Sequence, residues 1–136
     1  MDNKEIVKHF YEVIVSGNLL QELSHYIAEN CVFRVGDKAV PLGSDGMKQH
    51  LTAVKTTYPD YTMKIVHQFA DGDYVISEFI MVGTHERECL GIKPTHKRLA
   101  FTGIDIDKVV NGKIVEHGDS VNTFETLLEQ NLIRPV

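Results

Sequence analysis

The segment KIVEHGDSV, residues 113–121, sets His117 and Asp119 at alternate positions between Val115 and Val121. On a β-strand alternate residues share a face. A carboxylate and an imidazole would then look into the same apolar surround. Lost hydration raises the proton affinity of a carboxylate, and a general acid or base works best when its pKa lies near the working pH. Asp119 is therefore the candidate acid/base. His117 is its partner in orientation or proton transfer, and in an apolar pocket it is expected to be mostly neutral at pH 7. The competing structural readings are a solvated strand-end aspartate and a buried histidine bonded to the backbone.

The preceding segment, LAFTGIDIDKVV, joins this strand through Asn111-Gly112, a two-residue hairpin signal. A regular register pairs Val110 with Lys113, Ile106 with His117, and Ile104 with Asp119. It also pairs Asp105 with Gly118 and Asp107 with Glu116. One side then carries Thr102, Ile104, Ile106, Val115, His117, Asp119 and Val121, with Ile104 as a substrate-binding wall. The other side carries Gly103, Asp105, Asp107, Glu116, Gly118 and Ser120, and reads as solvated. A β-bulge would reverse the placement of Asp105, which stays a substrate-binding candidate of second rank.

Further candidates lie outside the hairpin. His85 ends a long strand beside a loop and could donate to a substrate oxygen or simply sit at the surface. His67 occupies an apolar slot of an alternating strand and reads as a core or interface histidine. Phe10, Tyr11 and Tyr58 lie on helices that would roof a pocket, and Phe10 and Tyr58 are taken as its substrate-binding aromatics. No His-Glu-x-x-His or Cys-x-x-Cys spacing points to a metal, and no phosphate loop or dinucleotide fingerprint points to a cofactor. GSDG at 43–46 opens a helix and does not follow a strand, so Ser44 reads as an N-cap rather than a nucleophile.

The elements that must position these side chains follow from periodicity. Asp2 and Glu5 have capping-box spacing ahead of Ile6, Phe10, Val13 and Ile14, with Gly17 as a left-handed stop. Asn18 and Gln21 open a second helix with Leu19, Leu20, Leu23, Tyr26 and Ile27. CVFRV, 31–35, is a short strand. Met47, Leu51, Val54 and Tyr58 mark a third helix before Pro59. From Tyr61 the period becomes two: Tyr61, Met63, Ile65, His67 and Phe69 alternate, then Asp71-Gly72 turns into YVISEFIMVG, 74–83. Asn122 and Glu125 cap a last short helix with Phe124, Leu127, Leu128 and Leu132. Helices followed by a meander imply an α+β fold in one domain, 1–136: a cone-shaped, curved, mostly antiparallel sheet covered by three N-terminal helices.

The 136 residues are 43 % hydrophobic and 24 % charged, with a net charge of −5. That balance, with no basic cluster, excludes nucleic acid and anionic membrane as the main partner. The segment MDNKEIVKHFYEV is too charged for the apolar core of a signal peptide, no apolar run is long enough to span a bilayer, and Cys31 and Cys89 are too few for a disulfide framework. A cytoplasmic location is expected. The run 74–83 is apolar on both faces apart from Ser77 and Glu78. A second copy of the chain is the expected cover for its outer face, so a homodimer is expected.

Gly83-Thr84-His85, Leu90-Gly91-Ile92, Pro94-Thr95, FTGIDI and NGKIVEH together resemble the SnoaL-like polyketide cyclases, or ester cyclases. GSDGMKQHLTAVKTTYPDYTMKI is similar to that family's third helix and next strand. The resemblance implies a nuclear transport factor two-like cone, shared with ketosteroid isomerases. It also implies ring closure by an intramolecular aldol reaction without metal or cofactor, with an acidic residue of the last strands as acid/base. The family places an aromatic after GKIVEH where this chain has Gly118, so a wider pocket is expected there. The expected activity is cofactor-independent proton transfer on a small apolar carbonyl compound, as an aldol cyclisation (lyase-type chemistry) or an isomerisation. The alternative is a non-catalytic module that binds an apolar ligand or a partner protein.

Overall fold

The computed structural model describes all residues from Met1 to Val136. Helix α1 (Asn3–His9) starts where Asp2 accepts a hydrogen bond from the Glu5 N–H at 2.8 Å, as the capping-box spacing requires. It continues as a π-helical stretch, Phe10–Val15. The left-handed stop is Asn18, not Gly17. Gly17 is needed for closeness instead, because a Cβ there would lie 2.6 Å from the Val13 carbonyl oxygen.

The second helix is shorter than its stripe suggests. A 3₁₀ turn, Leu20–Glu22, leads into α2 (Leu23–Tyr26), and Ile27 already belongs to strand β1 (Ile27–Val35). Strand β2 (Lys38–Pro41), unmarked by periodicity, is exposed along its length at the sheet edge. Helix α3 (Gly43–Thr57) begins at Gly43, whose φ of +64° a side chain would resist. Ser44 lies inside the helix and is not its cap.

Strands β3 (Thr62–Asp71), β4 (Tyr74–Thr84), β5 (Arg98–Val110) and β6 (Lys113–Val121) form the meander, and α4 (Thr123–Glu129) follows. The six-stranded sheet has the order β2-β1-β6-β5-β4-β3. Only β1 and β6 run parallel. The α+β architecture with a curved, open, mostly antiparallel sheet is as expected. Its inner face packs on the helices through Val7, Phe10, Ile14, Leu23, Ile27, Val75, Phe79, Val109 and Ile114. The cap expected at Asn122 is not made; its amide donates to Thr102 Oγ1 at 2.7 Å.

Two bulges break the period of two. In β3 the pairing shifts between Ile65 and His67, and Glu12 accepts the Ile65 N–H at 2.8 Å. Tyr61 and Ile65 are buried, whereas His67 and Phe69 turn outward and are exposed. His67 is thus not a core histidine. The second bulge lies in the β5–β6 hairpin. Asn111 and Gly112, both at positive φ, make the expected tight turn. The pairing then passes from Val109–Ile114 to Lys108–Glu116, leaving Val115 as the extra residue.

Candidate active site

That one extra residue exchanges the two faces of β5 relative to β6. Asp105 now pairs with Asp119, Asp107 with His117, and Ile106 with Gly118. Asp105 and Asp107 are buried on the inner face with His117, while Ile104 and Ile106 are 45 % and 47 % exposed on the outer one. The regular register is therefore corrected: Asp105 lines the inner cavity with Asp119, whereas Ile104 lines an outer groove that Asp119 also borders.

The inner face encloses a cavity of about 290 Å³ under α3. Val15, Leu51, Val54, Tyr58, Tyr61, Met63, Phe79 and Phe101 are among its walls, and Tyr11, Asp105, His117 and Asp119 make its polar end. Of the expected aromatic pair, one member reaches the cavity. Tyr58 lines the cavity. Phe10 does not: it is fully buried against Tyr11 and Tyr26, and Tyr11 takes the lining position.

His117 is held from behind. Its Nδ1 stands 2.8 Å from Asp107 Oδ1, and the Tyr11 hydroxyl donates to Asp107 Oδ2 at 2.8 Å. Its Nε2 is 3.8 Å from Asp119 Oδ2, whose side chain is 30 % exposed. Asp105 is 2 % exposed, and its Oδ2 has no hydrogen-bond partner in the protein. Each of Asp105, His117 and Asp119 offers an atom within 4.8 Å of the others, a separation at which one cation could be shared.

Electrostatics follow from this crowding. Burial, then the neighbouring charge of Asp107, lifts Asp105 well above the usual carboxylate range, against the pull of His117. Burial alone would lower His117. The bond to Asp107 and the charges of Asp107, Asp105 and Asp119 outweigh it and bring the imidazole to about 9. The expectation of a mostly neutral His117 is overturned, because it did not include a buried aspartate at its back. Burial likewise raises Tyr11, and burial with the Cys89 thiol pushes Tyr58 up to about 12.

Three residues escaped the sequence reading in part. Asp107 was placed on the solvated side, since nothing in the residue pattern marks the bulge. Tyr11 was noted only as a roof aromatic. His50 borders the cavity at its rim, with its pKa lowered by partial desolvation against the pull of Asp119. Its spacing from Met47 and Val54 on α3 could have revealed it.

His85 is buried, as a strand-end surface histidine would not be. Its Nδ1 accepts from the Thr95 N–H at 3.3 Å, and its ring lies beside a separate space of about 20 Å³ bordered by Tyr58, Cys89 and Leu90. It does not line the main cavity. Gly118 sits on the outer face, beside Arg34, Tyr74 and Ile106 in a groove of about 620 Å³. Its missing side chain widens that groove and not the inner pocket.

Residues 5–130 match the SnoaL-like polyketide cyclase family. The chain belongs to that family. Among curated protein sequences nothing matches. Similar solved structures share the SnoaL-like fold. A candidate polyketide cyclase, IdmH of Streptomyces antibioticus, has a TM-score of 0.84 at 22 % identity, covering 96 % of this chain and 99 % of that one. A candidate hydroxylase, AclR of Streptomyces galilaeus, has a TM-score of 0.83 at 21 % identity, covering 98 % of each chain. A candidate polyketide cyclase from Acidithiobacillus ferrooxidans has a TM-score of 0.83 at 21 % identity, covering 98 % of this chain and 97 % of that one. At these identities the likeness speaks for the fold, and family membership supports a cyclase-type function. No helix is long and apolar enough to cross a membrane.

Proposed function

We propose that this SnoaL-like protein is a cofactor-independent enzyme that removes a proton next to a carbonyl group of a small apolar substrate. The observation that carries this reading is the cluster of Asp119, His117 and Asp105 at the polar end of an otherwise apolar cavity. Such a cavity selects an apolar body and presents a few convergent polar groups to one end of it. Asp119, the cluster's accessible carboxylate, takes the proton from the α-carbon, and the C–H electron pair moves into the enolate. His117, aimed by Asp107, donates from Nε2 to the oxygen that gains charge. Asp105 completes the polar end and contacts the same oxygen. The enolate carbon then adds to a second carbonyl of the same molecule, which closes a ring, or is reprotonated at another carbon, which isomerises the substrate. His85 serves the loop behind Tyr58 rather than the reacting atoms. The working form is a cytoplasmic homodimer joined through the outer sheet face, where Ile76, Ile80, Ile104 and Ile106 are exposed.

The test is exchange of α-protons of a bound 1,3-dicarbonyl compound with D₂O, followed by NMR. The wild-type protein should accelerate exchange. Asp119→Asn should lose roughly 100- to 10,000-fold of that rate while ligand binding persists. Full exchange in Asp119→Asn would remove Asp119 from the role of base. Tight binding with no exchange in the wild-type protein would favour a non-catalytic binding module.

A further inference from the structure

We propose that Asp105, His117 and Asp119 form a binding site for one divalent transition-metal ion, with Asp107 as the positioning residue that aims His117 at it. The three donors converge, each with one atom within 4.8 Å of the others. They stand on two adjacent, directly paired strands rather than on loops, so the set is held by the sheet itself.

Two independent features point to a ligand there. Asp105 is 2 % exposed, yet its Oδ2 meets no donor in the protein. Buried carboxylate oxygens are ordinarily satisfied, and a carboxylate oxygen of Asp105 lies within 4.8 Å of the donor atoms of His117 and Asp119. His117 has its Nδ1 against Asp107 Oδ1 at 2.8 Å, and Asp107 is fixed in turn by the Tyr11 hydroxyl at 2.8 Å. A carboxylate behind one ring nitrogen, with the other nitrogen facing a carboxylate, is the arrangement that orients a metal-binding imidazole. His117 Nε2 is that second nitrogen, 3.8 Å from Asp119 Oδ2.

Two carboxylates and one imidazole suit zinc, cobalt or manganese better than calcium or magnesium, which prefer oxygen alone. Asp119, the accessible member, swings to close the set, and the remaining coordination positions face the cavity.

This site goes beyond the proton-transfer reading and shares its residues. The ion and the substrate proton compete for the same Asp119 oxygens, so the loaded protein is a resting form. Binding can be read without any substrate.

The experiment titrates chelator-treated protein with Co²⁺, following its visible absorption, and with Zn²⁺ by calorimetry. One equivalent is expected. Asp119→Asn should weaken binding by at least the roughly 10- to 100-fold that losing an outer-shell partner costs, and Asp107→Asn by about that range. Circular dichroism confirms that each variant is folded. If Asp107→Asn is not, the Asp119 variant decides alone. The exposed pairs His25–Glu22 and His96–Glu86 are the competing two-ligand sites. His25→Gln and His96→Gln should leave the one equivalent in place. Absence of binding at about 1 mM metal, undiminished binding in Asp119→Asn, or loss of binding in either surface variant would overturn the site. Metal binding, with no α-proton exchange by the metal-free protein, would sink the enzymatic reading and leave the site standing. Exchange without metal binding would do the reverse.

Discussion

The two faces of the β5–β6 hairpin reverse the usual order of a half-buried sheet. Its inner face holds Asp105, Asp107 and His117, all 5 % exposed or less, while its outer face shows Ile104 and Ile106 nearly half exposed. Charge inside and hydrocarbon outside each oppose stability unless something answers them. On the inner face part of the answer is visible. Tyr11, Asp107 and His117 satisfy one another, and only Asp105 is left with an orphan oxygen. Asp105 itself lines the cavity. On the outer face the answer proposed is a second copy of the chain. On the proposals made above, the contrast separates groups kept for chemistry from groups kept for association.

The sharpest break of this contrast makes the inner face ordinary. Asp105→Leu removes a polar contact at the reacting end and should cost about 100-fold or more in α-proton exchange. The same change deletes a buried, unpartnered carboxyl oxygen, so the fold should gain about 1–3 kcal/mol against urea. A variant that loses activity and stability together would mean that Asp105 is structural.

Asp107→Ala should do the opposite to the fold. It leaves His117 and the Tyr11 hydroxyl without their shared partner, and breaking such a buried pair costs about 3–5 kcal/mol. Denaturation midpoints measure this directly, and a loss below about 1 kcal/mol would contradict the pairing described.

Ile104→Lys combined with Ile106→Lys tests the outer face. Both residues are nearly half exposed in the isolated chain, so folding should change by less than about 0.5 kcal/mol per site. Sedimentation at tens of micromolar, roughly the range in which a stable dimer persists, should show the wild type as a dimer and the variant as a monomer. A monomeric wild type would leave the exposed isoleucines unexplained.

The inner face also makes stability depend on pH in the metal-free protein. His117 is raised in the fold from 6.5 to about 9. Its contribution to stability is therefore complete below pH 6.5 and fades as the pH rises through about 9. Asp105, also raised, acts in the same direction, with its contribution lost as the pH climbs from 3.8 through its higher folded value. Urea midpoints should fall between about pH 6 and about pH 10, and less so in His117→Gln. A flat profile would show that Asp107 does not hold the imidazolium.

Much of the fold was legible because it depends on local pattern. The capping at Asp2, the Asn111-Gly112 turn and the stripe of α3 all follow from rules that span a few residues. His117, Asp119 and Val121 do share a face, since strand alternation alone decides that. The second helix was overread because Leu19–Ile27 has a helical stripe, while strand pairing claims Ile27 first. His67 and Phe69 were misplaced because a bulge at Val66 carries no signature in side-chain type.

The sequence alone thus determined the α+β class, the order of the meander, and a histidine and an aspartate on one side of β6. Only the tertiary structure decided which face of β5 joins them. Residue types specify local geometry, but register is settled by which pairing lets Val75, Phe79, Val109 and Ile114 pack under the helices. One unpaired residue, Val115, meets that demand, and it carries Asp105 and Asp107 inward and Ile104 and Ile106 out.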